Sequence, residues 1–216
     1  MSDFSFADKL ETPRMWLRCP YPGDGEALYQ GVAETLQQLR AWPDSLPWAQ
    51  KPQSVEASED YCQTCYAAWA MRISWPMLMI DKASAGFVGS IGFHQINVKT
   101  QQWELGYWCR SSFQGQGRMT EAVQVLTQAA LQVAPNAQLV CRIDSRNHAS
   151  AKVVLTAGYK MVKEETVSSD AGALRLAARL AHRAIGLTLQ AHLSPTQFAP
   201  VHHLQTTCQG CAQAGQ

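Results

Sequence analysis

Gln114-Gly115-Gln116-Gly117-Arg118-Met119 lies between a strand pattern and a helix pattern, and its reading decides the fold. Upstream, Gln102-Trp103-Glu104-Leu105-Gly106-Tyr107-Trp108-Cys109 puts Trp103, Leu105 and Tyr107 on one strand face and Glu104 and Trp108 on the other. Downstream, Ala122, Val125, Leu126, Ala129, Ala130 and Val133 recur at helical spacing, which predicts a helix beginning near Thr120. A glycine-bearing turn that opens a helix aims several unpaired backbone N–H groups at one point. With the helix dipole they form an anion site suited to a phosphate or pyrophosphate.

Composition narrows the class. A chain of 216 residues suits one domain of ordinary size with a full core. A formal net charge of +1 lacks the basic surplus of a general nucleic-acid binder, so no direct nucleic-acid partner is expected. No apolar run reaches membrane-spanning length, and Met1 to Lys9 has no signal-peptide core. Seven cysteines at scattered spacing do not read as a secreted disulfide framework. The expectation is a cytoplasmic, reduced protein with no membrane partner.

Around the central stretch the other elements fall into place. Met15 to Cys19 reads as a first strand, and Asp24 as the cap of a helix carrying Leu28, Val32, Leu36 and Leu39 on one face. Trp42, Pro43 and Pro47 break that helix, and a second spans about Ser58 to Met71. Strands follow at Met77–Ile80 and Gly86–Ile96, joined by Asp81 to Ala85. After the glycine turn and its helix comes a strand from Gln138 to Ile143. A short helix from His148 to Ala157 follows, capped by Asn147 and ended by Gly158. This order indicates an α/β (α+β) fold, a mixed sheet with helices on its faces.

Several of these blocks resemble one family in its own order. Gln114 and Gly117 match the Gln/Arg-x-x-Gly-x-Gly/Ala loop of the GNAT acetyltransferases, with Met119 departing at the last position. Leu10-Glu11-Thr12-Pro13-Arg14 with Leu17-Arg18, Val88-Gly89-x-Ile91-Gly92-Phe93, Glu104 to Trp108, Met119 to Val123, Asn147-x-x-Ser150-Ala151-x-Val153 and Gly158-Tyr159 are similar to its RimJ/RimL-like branch. The resemblance covers roughly residues 10 to 165. It implies a central mixed, mostly antiparallel sheet flanked by helices, with a splayed strand pair for acetyl-CoA. It also implies acetyl transfer from acetyl-CoA to a primary amine, such as the N-terminal α-amino group of a ribosomal protein, by a monomer or homodimer. The alternatives are a small-molecule amine acceptor, or acetyl-CoA binding without turnover.

Particular residues then acquire expected roles. An α-amino group with a pKa of about 7.7–8.0 is mostly protonated at neutral pH, and a carboxylate can hold it or take its proton. By resemblance Glu104 is that group; its plain reading is a strand carboxylate paired with a basic side chain. Ser150 is expected, by resemblance, to give a proton to the leaving thiolate, although a serine one turn into a helix commonly serves only the backbone. The backbone of Gln114, Gly115, Gln116, Gly117, Arg118 and Met119 is assigned to the pyrophosphate, and the Trp108–Cys109 edge and Asn147 to the pantetheine arm. Asn147 also reads simply as a cap. Cys109 has no histidine partner to activate it as an acyl carrier. Tyr159 reads as core, His94 as structural, and Trp42, Pro43, Leu46 and Trp48 as either an acceptor wall or an anchored loop.

Two C-x-x-C pairs, Cys62/Cys65 and Cys208/Cys211, are too far apart for a recognised zinc module, and no metal is expected. The domain is bounded at residues 10–166, after an N-terminal segment 1–9 and before an atypical tail. From Ala171 to Gln216 there is no Asp, Glu, Lys, Trp or Tyr, which a frame change near the end of the gene would explain. Within that tail Leu187, Leu189, Ala191 and Leu193 alternate as in a last strand, whereas Leu174, Leu176, Leu180 and Ile185 suit a helix equally. Beyond Ser194 the composition is that of a disordered terminus.

Overall fold

The structure, a computed structural model, describes residues 7–97, 99–166 and 174–180. Its centre is an eight-stranded sheet in the order β1-β2-β3-β4-β5-β6-β8-β7. The strands are β1 (Lys9–Glu11), β2 (Met15–Arg18), β3 (Trp75–Asp81), β4 (Phe87–Asn97), β5 (Gln102–Cys109), β6 (Gln138–Asp144), β7 (Tyr159–Thr166) and β8 (Leu174–Leu180). Every neighbouring pair is antiparallel except β5 and β6, so the sheet is mixed and mostly antiparallel, as expected.

Helices cover both faces. α1 (Gly25–Arg40) and α2 (Val55–Ala70) lie on one side, where Leu28, Val32 and Cys62 pack with Leu78 and Phe87. α3 (Arg118–Val133) and α4 (His148–Thr156) lie on the other, where Met119, Ala122, Leu126 and Val154 meet Met77, Ile91, Phe93 and Leu105. Phe93 and Ile91 are fully buried there, and truncating Phe93 to Ala would cost about 3–5 kcal/mol. Tyr159 is core as expected, its hydroxyl 3.0 Å from that of Thr127.

The differences from expectation have identifiable causes. β1 has too few residues for any period to show in the sequence. Helix α2 starts at Val55 because Ser54 caps it, accepting from the Ala57 N–H at 3.0 Å. Asp24 does occupy the cap position of α1, yet its carboxylate is taken by Arg18 at 2.6 Å to each oxygen. Glu59 of α2 serves the α1 terminus instead, accepting from the Gly23 and Gly25 N–H groups at 2.9 and 3.0 Å.

The sheet also continues past Thr166. Leu174–Leu180 is a strand, not a helix, inserted between β6 and β7. Its period of two prevails because β6 and β7 offer two edges to pair with, burying Ala177 and Ala178. The alternation at Leu187–Leu193 and the Cys208/Cys211 pair lie outside the described residues. Cys62 and Cys65 are buried thiols on α2, pushed up by burial to about 12 and about 11. Among the described residues no cluster of His, Cys, Asp and Glu is placed to hold a metal ion. No helix there is long and apolar enough to cross a membrane.

Candidate active site

The parallel register of β5 and β6 runs from Gln102↔Gln138 to Leu105↔Cys141 and then stops. From Gly106 to Cys109, β5 keeps its antiparallel partner β4 but has no strand on its other side. Among the described residues that edge pairs with no strand, although Cys109 O accepts from the Gln114 side-chain amide, and it opens at the splay expected of this strand pair. The irregularity beside it is a β-bulge on the β4 side, between Phe93 and Gln95.

The open edge leads directly into the glycine turn. A 3-10 turn, Ser111–Phe113, follows β5, and Gly115 and Gly117 take φ of 72° and 75° before α3 begins. Gly117 caps α3 without a side chain to satisfy the terminus. Among the described residues, the backbone N–H groups of Gly115, Gln116, Gly117, Arg118 and Met119 donate to no protein acceptor. The Gln114 N–H differs, donating to Ser111 O at 3.2 Å, while its side-chain amide donates to Cys109 O at 2.9 Å. Gln114 is thus a brace of the turn, and the anion-ready groups begin at Gly115.

Neighbouring elements hold the turn. Arg14 donates through Nη1 to Gln116 O at 2.9 Å and grips Glu121 of α3 through its backbone N–H and Nε. On the α1 side, Glu34 accepts from the Arg110 guanidinium and the Ser112 N–H, and Thr35 accepts from the Ser111 N–H. Met119 turns its side chain into the core and leaves only its backbone to the turn. The Arg118 guanidinium also faces inward, 3.0 Å from Asp81 and 5.4 Å from the Phe113 ring. Only the backbone of Arg118 is presented to an anion.

Each face of the open edge carries its own chemistry. On the α3/α4 face, Tyr107 and Ser150 are reciprocally bonded: Tyr107 Oη donates to Ser150 O at 2.8 Å, and Ser150 Oγ donates to Tyr107 Oη at 3.0 Å. Asn147 caps α4, accepting from the Ser150 N–H at 3.0 Å. Burial raises the Tyr107 hydroxyl far above its ordinary value, which keeps it a neutral donor. Burial pushes the Cys109 thiol up to about 11 even with Arg118 nearby, so it carries no thiolate at neutral pH.

On the α1/α2 face stand Glu104, Gly106 and Trp108. Glu104 is ion-paired with Arg142 of β6, the plainer of its two expected settings, and both side chains remain about a quarter exposed. Trp108 packs against Phe87 and Trp48, at ring separations of 5.6 and 6.1 Å. Beyond them Arg146 is bound to Asp144 and lies 6.0 Å from the Trp42 ring. Of the two readings of the aromatic–proline segment, the anchored loop is seen at Trp48, which packs on Trp108.

The structure thus places Glu104 and Trp108 on one face of the open strand, Tyr107, Asn147 and Ser150 on the other, and the glycine turn after its end. The sequence alone did not disclose the side-chain partners of Arg14, Tyr107 and Arg142, which are set by tertiary folding.

Comparison with known proteins agrees with this geometry. A family model described as an acetyltransferase (GNAT) domain matches residues 14–160. The ribosomal-protein-serine acetyltransferase of Escherichia coli (strain K12) is 32% identical over 136 residues, covering 61% of this chain and 71% of that protein. Among solved structures, the ribosomal L7/L12 α-N-protein acetyltransferase RimL in complex with coenzyme A superposes with a TM-score of 0.71 at 20% identity, over 81% of this chain and 98% of that one. The microcin C7 self-immunity acetyltransferase MccE, in complex with acetyl-CoA and AMP, gives a TM-score of 0.68 at 18% identity, over 77% and 92%.

Proposed function

The chain belongs to the GNAT acetyltransferase family, and on that premise we propose that it acetylates the N-terminal α-amino group of a protein, with acetyl-CoA as donor. It is an acyl-transferring enzyme related to ribosomal-protein acetyltransferases. One observation carries the fuller reading: the unpaired edge Gly106–Cys109 is followed, after the single turn Ser111–Phe113, by the open N–H groups at Gly115–Met119. A ligand with a diphosphate at one end and an amide-bearing arm fits that order, the diphosphate at the start of α3 and the arm along β5.

The roles of the surrounding residues follow from their settings. Acetyl-CoA, when bound, supplies the thioester carbonyl and the thiol leaving group. Glu104, held by Arg142, offers its carboxylate to the incoming ammonium and orients it. Once the ammonium has lost one proton, which passes to solvent, the amine lone pair attacks the thioester carbonyl, and the C–N bond forms as the C–S bond breaks. Ser150 Oγ, fixed by Tyr107, gives its proton to the departing sulfur and regains one from the nitrogen by way of solvent. A thiol pKa of about 8.5 makes that a modest demand, so positioning contributes most of the rate.

A protein N-terminus as acceptor is supported by the similarity to the ribosomal-protein-serine and ribosomal L7/L12 α-N-protein acetyltransferases. The test is thiol release with peptides beginning with Ser, Ala or Thr against free amino acids, polyamines and aminoglycosides. Peptides are expected to turn over fastest. Faster turnover of a small amine would reassign the acceptor, and acetyl-CoA binding without turnover of any amine would overturn the transferase reading for this chain.

A further inference from the structure

We propose that the imidazole of His94, aimed by a β-bulge over Gly106 and beside Glu104, takes the proton from the acceptor ammonium in the acetyl transfer. This rests on the acyl-transfer reading above.

The geometry begins in the register of β4 and β5. Phe93 pairs with Leu105 and Gln95 pairs with Glu104, so His94 is the extra residue of the bulge. Bulges re-aim a side chain, and this one lays the imidazole across the neighbouring strand. A Cβ on Gly106 would fall 2.5 Å from His94 Nε2 and 2.6 Å from its Cδ2. Only glycine leaves room for the ring to lie on the backbone there. Gly106 is also the first β5 residue beyond the β6 pairing, the point where the open edge begins. The ring therefore stands over the mouth of the splay, on the face shared with Glu104, and remains exposed to solvent.

The electrostatics suit a proton acceptor. Desolvation by the packed strands lowers the His94 pKa, while the Glu104 charge and a hydrogen bond with the Gly106 backbone pull the other way. The net direction is down, which favours the neutral ring and its lone pair at pH 7, while the exposed part of the side chain lets the proton exchange with solvent. Among the described residues, Glu104 on β5 is the charged group acting on the ring, and Arg142 on β6 is ion-paired with Glu104. Glu104 is already neutralised by Arg142, which suits it to orient the ammonium and to stabilise the imidazolium. The step is balanced: one N–H bond of R–NH3+ breaks, its electron pair stays on nitrogen, and the proton joins the imidazole lone pair and then leaves to solvent.

The test is the pH dependence of kcat/KM for His94→Gln and Gly106→Ala, with acetyl-CoA and a Ser-initiated peptide, alongside calorimetric acetyl-CoA affinity. His94→Gln is expected to keep parent affinity and to lose on the order of 10²-fold in kcat/KM at pH 7. That loss should shrink as pH rises past the amine pKa of about 8, where free amine needs no base. Gly106→Ala pushes aside only the end of a flexible side chain, so it should lower turnover in the same pH-dependent way with an unchanged thermal midpoint. A loss in His94→Gln that is equal at every pH, or absent, overturns the role of His94 and leaves the transferase reading standing. A parent that binds acetyl-CoA but turns over no amine overturns both.

Discussion

The Arg14 guanidinium donates to the Gln116 carbonyl at 2.9 Å, joining residues 102 positions apart in the chain. The same side chain is paired with Glu121 of α3, so one residue from the start of the sheet fixes both the turn and the helix it opens. Fixing the turn before a ligand arrives removes part of the ordering cost of binding. Arg14→Ala is therefore expected to weaken acetyl-CoA binding by about 5- to 10-fold, roughly 1–1.4 kcal/mol. Arg14 is 44% exposed, so the loss of global stability should stay under about 1 kcal/mol. Calorimetry and a thermal melt separate the two; a large fall in midpoint with unchanged affinity would make Arg14 a structural residue only.

Gly117 tests the turn from within. At φ 75° it occupies left-handed space, while an added Cβ would meet nothing closer than Arg14 Nη2 at 3.7 Å. The constraint is conformational rather than steric. A non-glycine residue there costs about 1–2 kcal/mol, least for Asn and most for a β-branched side chain. Gly117→Val should lose at least about 10-fold in acetyl-CoA affinity as the turn refolds, whereas Gly117→Asn should remain within a few-fold of the parent. A folded Gly117→Val protein with parent affinity would remove the turn from the cofactor site.

Those two residues also mark what a sequence discloses. Gly117 was legible because a left-handed turn before a helix leaves a local mark, a glycine at a fixed place. The strand around Trp103, Leu105 and Tyr107 was legible because burial on one face imposes a period of two. Arg14 left no mark, since its partners are set by tertiary folding and lie over 100 residues away. The bulge at His94 was hidden for a related reason: a register slip is a property of two strands, and neither shows it alone. Asp24 was placed correctly and paired wrongly, because Arg18 offered its carboxylate a charged partner and Glu59 freed it from capping. Leu174–Leu180 fitted two periods, and only the edges of β6 and β7 decide between them.

The Arg18–Asp24 pair predicts an acid limb of stability. Burial alone would raise the Asp24 pKa, but hydrogen bonds from Arg18 and the Tyr21 N–H outweigh it and hold the carboxyl below its ordinary value. A carboxyl depressed in the folded state stabilises above its unfolded pKa of about 3.9, and that contribution fades as pH falls through the folded value. Discounted for partial solvent exposure, Asp24→Asn should cost on the order of 1 kcal/mol at pH 7. Parent and variant should converge once the pH is below the depressed folded-state value of Asp24. Urea unfolding at the two pH values checks this, and a difference that persists in acid would assign the effect to packing instead of charge.

The end of the sheet gives the last test. β8 lies between β6 and β7, so a chain ending at Thr166 would strip both strands of a partner and lose the burial of Ala177 and Ala178. The exposed edge of β6 would then invite association between chains, and aggregation is the expected outcome. That result would report on the sheet and not on the cofactor site. A chain ending at Ser194 keeps β8 and every residue assigned to acetyl-CoA, all of which lie between Gly106 and Ser150. It is expected to bind acetyl-CoA within about 2-fold of the parent, because the removed residues have tail-like composition and every residue assigned to the cofactor is kept. The measurement is calorimetric affinity, with circular dichroism to confirm the fold. A large drop in a folded protein ending at Ser194 would put part of the cofactor site beyond that residue and move the domain boundary with it.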